Sequence, residues 1–545
     1  MLQKTLVTGL LFCCLLLLFF SPLLIRSSTH TTSVNDGALI VWLSHQSANA
    51  LTGKGDWYNW PFFYPYQFTA TYSDPFVTSG ALLLLIRQFT SNITLQYNLL
   101  LMISACTNFW AVYLLAQKLW KNYFASIVSA SVFTFSYTQY QFIPHLHSYL
   151  LFGLPLGVWT LISYIESGRK KYALYWGICF VLQSLNAPMT GYFFLAVTIL
   201  YLFSTRQYRK IICNTFWWSS VVISSGLLIW YYLPYVRTAQ DFSAIRTIRD
   251  TAHFSYPIEK LLSIEIFLPL IFFALYLTKV RQKIDQSSKY LIIAITSFIL
   301  CGALFMLGPV VKVGDETLKI LGVPIPLPYA ILYYVIPGIQ AFRSVSRWAI
   351  VLNLGLALGL GWVVQQQLKE GRKKIVLFFF ALYISLSYVL ELKNQYLYPT
   401  PQTIPEIYSL VKTRPERIVA ELPVYQWNNG TLAGQENQRL RYQLYHEKVL
   451  FNGVSGLTPP RRAHELTLLQ QQFPDTESVI LLQSTGVELI VVHFDEYQQL
   501  GDLTDTANTS QPMMSDRLLT TLEHSPALTL IGCTDQPHDC VFKIE

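Results

Sequence analysis

Three aspartates, Asp36, Asp56 and Asp74, sit in one polar stretch near the start of the chain, Ser33 to Pro75. In a sequence with only 13% charged residues, acids gathered directly after an apolar segment stand out. A carboxylate at a membrane face, partly stripped of water, can serve as general base for a hydroxyl. Asp36, in VNDGA, has the position for that role. It also has a competing one, as N-cap of a helix over ALIVWLSHQSANAL, because Asp and Asn are favoured caps. Asp74, in YSDPF, carries the same two readings, second acid of a site or cap of the next helix. Asp56, in KGDWY, reads as a turn residue. An aromatic run from Trp57 to Phe68 shares the stretch. Such rings suit the headgroup level of a bilayer, where one side is apolar and the other wet.

Further groups with chemical potential lie far downstream. His145 and His147 form a His-x-His pair in YTQYQFIPHLHSYLL. An extended pair of this kind can bind metal, but no carboxylate cluster nearby completes a site. Hydrogen bonding to a polar substrate or headgroup suits them better, with plain structural histidines as the competing reading. Asn186 and Pro188, in LNAPMTGY, mark a helix break at a similar depth. Arg343 and Arg347, in AFRSVSRW, fall on one face of a helix at the i, i+4 spacing. Arg246 and Arg249 lie in FSAIRTIRD, after Arg237. Guanidinium forks match phosphate bidentately, as a lipid-phosphate leaving group requires. The alternative for these arginines is contact with bulk headgroups or pairing with Asp241 and Asp250.

The expectation is therefore chemistry at Asp36 and Asp74, with substrate held by His145, His147, Arg343, Arg347, Arg246 and Arg249. No cofactor is expected. A divalent metal is possible, but no ligand motif supports one.

These residues need a frame, and composition indicates its kind. The chain has 545 residues, 52% of them hydrophobic. A soluble protein carries about 25% charged residues, so this is a polytopic membrane protein, mainly α. The net charge of +8 does not point to nucleic acid, because Lys and Arg occur in short clusters between apolar runs. Cytoplasmic loops beside an anionic leaflet have that pattern.

The first apolar segment, up to Ile25, is longer than a signal-peptide core and reads as a retained helix, with a cleaved signal as the alternative. Spans are predicted near 95–117, 122–140, 150–166, 171–187, 189–205, 211–235, 259–279, 289–308, 347–366 and 374–392. With the first helix these make about eleven, each judged against the roughly 20 apolar residues that a crossing needs. Two weaker segments, 76–89 and 328–342, are short or broken by proline and read as interfacial or re-entrant on the outer side. Lys4, Lys118, Lys121, Arg169, Lys170 and Lys171 begin a consistent series of inside loops. The positive-inside rule then puts the N-terminus in the cytoplasm and the opening loop, 141–149, 236–258, 309–346 and the C-terminal part outside.

From about Leu392 no span follows. RIVAELPVY, VELIVVHF and LTLIGC read as strands, with a helix over Arg461 to Gln472, which argues a small α/β domain. The organisation is a transmembrane domain over 1–392, whose outer loop 27–94 carries the proposed site, and an extracytoplasmic α/β domain over 393–545. Of the eight cysteines, only Cys533 and Cys540 are close together in a polar region. An extracytoplasmic tail would permit a bridge between them, and two free thiols are the alternative.

The order of NDGALIVWLSHQ, FFYPYQFTATYSDPF, YNLLLMISACTNFWAVYLLA and FTFSYTQYQFIPHLHSYLLFGLPLGVW resembles bacterial polytopic proteins of the GT-C glycosyltransferase superfamily. The resemblance continues through PIPLPYAILYYVIPGIQAFRSVSRWAI, AELPVYQ and LFNGVSGLTPP, and so covers most of the chain. It implies a GT-C-like bundle in the plasma (inner) membrane and an acid in the first extracytoplasmic loop, which maps onto Asp36. It implies a polyprenyl-phosphate-linked sugar as donor and a glycan, lipid or protein acceptor. Transfer would be a single inverting displacement at the outer face. In some such enzymes two acids of a short motif bind a metal; here the motif reads Asn35-Asp36-Gly37. The expected partners are thus membrane lipid, the lipid-linked sugar and the acceptor, with no nucleic acid. The alternatives are a transporter or flippase of a lipid-linked saccharide, which often shows inverted repeats and mid-membrane charges, and a non-catalytic membrane scaffold in which Asp36 only caps a helix.

Overall fold

The computed structural model describes all residues except 1, 34, 244–245, 281–285, 393–396, 402, 426–432, 505–514 and 536–537. The chain forms two compact units. The first comprises Met1–Thr32, Phe76–Leu233 and Ser243–Leu397; the second comprises Ser33–Pro75, Pro234–Phe242 and Tyr398–Glu545. The sequence suggests one boundary at 392–393. The units part at 397–398, and two upstream segments, the opening polar stretch among them, fold with the C-terminal part.

The first unit is a helical bundle. Seven of the chain's described helices are long and apolar enough to cross a membrane: Thr5–Ile25, Ile93–Trp120, Leu146–Ser167, Thr215–Asp241, Ser288–Met306, Val345–Lys369 and Lys373–Leu392. The pair Ile248–Leu262 and Ile264–Lys279, bent by 55°, is an eighth if it acts as one span. The other predicted spans also coincide with helices, but short ones. Segment 122–140 is interrupted at Ser136, between Tyr123–Phe135 and Tyr137–Tyr140. Lys170–Asn186 and Pro188–Ser204 have 17 residues each. At about 1.5 Å per residue such a helix falls short of a 30 Å hydrocarbon core unless it sits at a thinner place. Segment 76–89 contains only the ten-residue helix Val77–Ile86. Segment 328–342 contains the seven-residue helix Tyr329–Val335 and one 3₁₀ turn, Ile339–Ala341. Neither is long enough to cross.

Ala349–Lys369 is the hub of this bundle, buried on every side from Ala349 to Gly359. A Cβ on Gly302 would lie 2.2 Å from the Leu352 nitrogen, so only glycine lets the Gln286–Met306 helix approach so closely. Small residues at such crossings permit the van der Waals contact that drives association in lipid. Thr215–Asp241, by contrast, exposes Val222, Ile223, Leu227, Ile229 and Trp230, the surface expected to face hydrocarbon.

The second unit is built on a five-stranded mixed sheet, in the order Leu528–Asp535, His538–Ile544, Leu489–His493, Ile418–Leu422, Val449–Leu450. Ile418–Leu422 pairs in parallel with both neighbours, and the last two strands of the chain form an antiparallel hairpin. All three runs singled out in the sequence supply strands, and the expected helix is Arg462–Gln472. Cys533 faces Cys540 across the hairpin, and the two are bridged.

The opening stretch belongs to this unit's interior. Its helix, Asn35–Leu51, is buried along most of its length. The Phe63 and Tyr64 amides donate to the carbonyls of Asn452 (2.8 Å) and Leu450 (3.0 Å), and the Leu450 amide donates to Pro61 (3.1 Å). Residues 61–64 thereby cover the open edge of Val449–Leu450, where unpaired backbone would otherwise invite pairing with other chains. Arg462 closes the arrangement by donating to the carbonyls of Tyr64 (2.8 Å) and Phe451 (2.7 Å). The aromatic run is thus not mainly a bilayer-facing surface. Trp60, Phe62 and Phe63 are core residues, and of the run's aromatic residues Trp57 and Phe68 are exposed.

Candidate functional site

In the first unit the two histidines lie on an irregular segment, residues 136–153, between the helices Tyr123–Phe135 and Gly153–Ser167. Two single-turn helices, Tyr137–Tyr140 and Leu146–Tyr149, leave much of its backbone without helical partners. Non-helical backbone among membrane helices needs partners from protein or from a wet cavity. Here side-chain amides supply them. Asn108 donates to the Tyr149 carbonyl (2.6 Å) and accepts from the Leu151 amide (2.9 Å). Gln183 donates to the Leu150 carbonyl (3.0 Å) and accepts from the Gly153 amide (3.1 Å). The Tyr97 hydroxyl donates to Pro144 (3.2 Å). Ser136 donates to Asn353 (3.1 Å), which in turn donates to the Phe133 carbonyl (3.0 Å). A lone buried amide in an apolar helix was a signal available in the sequence, and these positioning residues were not among the expected ones. Asn186 does sit at a helix break as expected, accepting from Ser79 at 2.6 Å.

The segment is held so that His145 and His147 lie side by side, ring centroids 5.7 Å apart, with Phe76 edge-on to His147 at 5.5 Å. Arg347 acts electrostatically on both rings, and Arg343 on His145. Burial chiefly, then the charges of Arg347 and Arg343, push His145 down to about 3. At neutral pH His145 is therefore an uncharged imidazole with one donor and one acceptor. The arginines are not on one α-helical face as their spacing suggested. Arg343 precedes the 3₁₀ turn Val345–Trp348 that carries Arg347. They converge on His145 all the same. Arg343 also lies over the Phe254 ring at 5.0 Å. Arg246 comes to the same loop region, its amide donating to Gln340 (3.0 Å) and its carbonyl accepting from Tyr333 (2.6 Å). Arg249 lies on the short helix Ile248–His253, whose N-terminus is closed by a Thr247–Asp250 capping box. Guanidinium forks of this kind are groups that suit a phosphate.

Asp36 and Asp74 belong to the second unit. Asp36 is in the first turn of Asn35–Leu51 and partly buried. The Gly37 amide donates to Ser33 Oγ (3.3 Å), so a residue upstream of Asp36 serves that helix end. The helix is locked to its own unit by Trp42 Nε1 donating to Gln443 (2.8 Å) and by Ser47 donating to the Pro75 carbonyl (2.5 Å). The cap position of Val77–Ile86 is Phe76, without a side-chain bond, so Asp74 is not its N-cap residue. Asp56 accepts from the Tyr58 (2.6 Å) and Asn59 (2.7 Å) amides and is a turn residue, as expected.

The second unit also holds a buried ionic network that no sequence pattern announced. Arg439 lies between Glu436 (2.6 Å), Glu496 (2.8 Å) and Glu421 (3.6 Å). His493 bridges Asp539 (3.0 Å) and Glu421 (3.2 Å), and Tyr408 donates to Glu421 (2.7 Å). Burial opposes charge on His493, but its hydrogen bonds to Asp539 and Glu421 prevail and raise it to about 10. Burial likewise opposes charge on Glu421, and His493 with Arg439 reverses the balance and holds it low.

Among the described residues no three His, Cys, Asp or Glu are arranged to hold a metal ion. Asn35 stands beside Asp36 where a two-acid metal motif would have its second acid.

No family model matches the sequence, and no curated protein matches it. Solved structures do. Arabinofuranosyltransferase AftD from Mycobacteria aligns with 98% of this chain at a TM-score of 0.54 and 15% identity. The Archaeoglobus fulgidus oligosaccharyltransferase in its apo form aligns with 91% at 0.52 and 11%. This chain spans 40% of the length of the mycobacterial chain and 70% of the archaeal one. At such identities the likeness is one of fold: a multi-pass bundle of apolar helices with a C-terminal α/β part, the GT-C-like architecture expected from the sequence.

Proposed function

We propose that the chain is a membrane glycosyltransferase that moves a sugar from a polyprenyl-phosphate donor to an acceptor hydroxyl, with inversion at the anomeric carbon. The observation that carries this reading is the His145–His147–Arg343–Arg347 set, held by buried amides within a fold shared with an arabinofuranosyltransferase and an oligosaccharyltransferase. The arginines meet the phosphate, and the neutral imidazoles hydrogen-bond the phosphate or sugar without adding repulsion. Asp36 takes the proton of the acceptor hydroxyl as its oxygen bonds to the anomeric carbon. The bond from that carbon to the phosphate oxygen breaks, and polyprenyl phosphate leaves with the electron pair. Asp74 serves as a second acid, and Arg246 and Arg249 as further phosphate partners.

In the same reading the protein sits in the plasma membrane with its N-terminus in the cytoplasm and its second unit outside. Topology reporters fused after Arg169 and after Glu421 should then report opposite sides. The function is tested with the purified protein in sealed proteoliposomes, a radiolabelled polyprenyl-phosphate sugar and a panel of glycan, lipid and peptide acceptors. Label in an acceptor with inverted anomeric configuration is the expected result. Intact donor crossing the bilayer with no bond cleaved would instead identify a transporter.

A further inference from the structure

Between the helices Gln286–Met306 and Tyr329–Val335 the first unit carries two small antiparallel ribbons. Lys312–Val313 pairs with Glu316–Thr317, and Lys319–Ile320 pairs with Val323–Pro324. Their tips have opposite chemistry. The first turns through Gly314 and Asp315, with the Gly314 amide donating to Glu259 (2.5 Å). The second turns through Leu321 and Gly322. There Leu321 is 98% exposed, and its neighbours Ile320 and Val323 are 63% and 65% exposed. Leu321 has a φ of 52°, a left-handed conformation that its Cβ disfavours. In water such a turn calls for Asn, Asp or Gly. A leucine there, turned wholly outward, suits an apolar surrounding instead.

Four further observations say which surrounding. The ribbons are paired internally, with Leu318 donating to Val311 (2.9 Å), Val311 to Ile325 (3.1 Å) and Ile325 to Leu318 (3.2 Å). Backbone paired in this way can enter the edge of a bilayer at little cost. The apolar strip continues onto Tyr329–Val335, where Ile331, Tyr334 and Val335 are exposed at i, i+3 and i+4. It also follows directly on the Ser288–Met306 span, whose Leu300 and Leu304 are exposed near that end. Lys319, exposed beside the tip, suits anionic headgroups.

We infer that the second ribbon is a bilayer anchor. Ile320, Leu321 and Val323 insert into the leaflet at which the Ser288–Met306 span ends, Tyr334 lies at the interface and Asp315 stays in water. The depth expected of such an element is about 5–10 Å below the headgroups.

The test places an environment-sensitive fluorescent amino acid at position 321 or, separately, at 315 in the full chain, in nanodiscs of phosphatidylcholine and phosphatidylglycerol. The probe at 321 should emit blue-shifted light and be quenched several-fold more strongly by doxyl-labelled lipid than by aqueous iodide. The probe at 315 should show the reverse. Leu321→Asp, a change at an exposed site, should leave the protein folded and make a probe at 320 accessible to iodide. Iodide quenching at 321 equal to that at 315 would overturn the proposal. Shielding at 321 only in discs holding two copies would overturn it too, by assigning the strip to a second chain.

Discussion

His145 and His493 show how one chain uses the same side chain in opposite ways. His145 faces Arg343 and Arg347 and is pushed down to about 3; His493 faces Glu421 and Asp539 and is raised to about 10. Burial acts against charge at both, so the sign of the neighbouring charges decides the outcome. In the second unit opposite charges meet inside the protein, Arg439 and His493 against four carboxylates, and the result is structural. In the first unit Arg343 and Arg347 both act on His145, and Arg343 acts on Asp250 as well. Burial and these two cations keep His145 uncharged, the reverse of His493. The comparison separates a network that holds a fold from the cluster proposed above to meet a phosphate.

The largest expected effect on stability comes from breaking the structural network. Arg439→Met leaves Glu436, Glu421 and Glu496 without their shared cation, and removing one partner of a buried pair costs about 3–5 kcal/mol. Thermal unfolding of the full chain should show a large drop, and an unchanged melting temperature would deny the network its role. Next comes the cluster. Arg347→Ala should lower sugar transfer by the value of a charged hydrogen bond, about 1.5–3 kcal/mol, or about 10–100-fold, with little change in melting temperature. Arg347→Lys should restore part of it. Equal losses of stability and transfer would make Arg347 structural instead.

The pH dependence sharpens the contrast. A histidine raised above its ordinary 6.5 contributes stability that is fully present below 6.5 and is lost as pH rises through its folded value, about 10 for His493. His145, lowered to about 3, works the other way. Between 6.5 and 3 the unfolded chain binds a proton that the folded protein refuses, so stability falls as pH falls. His493→Gln should flatten the alkaline limb and His145→Gln the acid one in chemical denaturation across pH. An exchange of those effects would reverse the assignment. The smallest effect is Trp42→Phe, which removes the bond to Gln443 and should cost about 0.5–1.5 kcal/mol. No loss would mean that packing alone seats the Asn35–Leu51 helix.

Much of the frame was legible in the sequence, because hydrophobic runs and β-rich runs are local signals. Ile418–Leu422 and Leu489–His493 are each visible in a short window, whereas the closeness of Cys533 and Cys540 leaves open the choice between a bridge and two thiols that the structure resolves as a bridge. What was not legible depended on partners far away. The Trp57–Phe68 run looked like an interfacial belt because its partners, Leu450 and Asn452, lie nearly the whole chain away. Glu421, Arg439 and His493 are ordinary polar residues until three separate elements bring them together. Arg343 and Arg347 both act on His145 although a 3₁₀ turn stands where their spacing suggests an α-helix.

Asp36 is where the account is most exposed. Asp36→Asn keeps the shape of the side chain and removes the base. Its carboxylate in the first turn contributes at most about 1 kcal/mol to that helix, whereas a lost general base costs about 10²–10⁴-fold in rate. Sugar transfer from the polyprenyl-phosphate donor, measured beside the melting temperature of the same preparation, separates the two. The account predicts transfer reduced to that extent in a protein that melts within a few degrees of the unmodified one. Full transfer by a folded Asp36→Asn protein would contradict it.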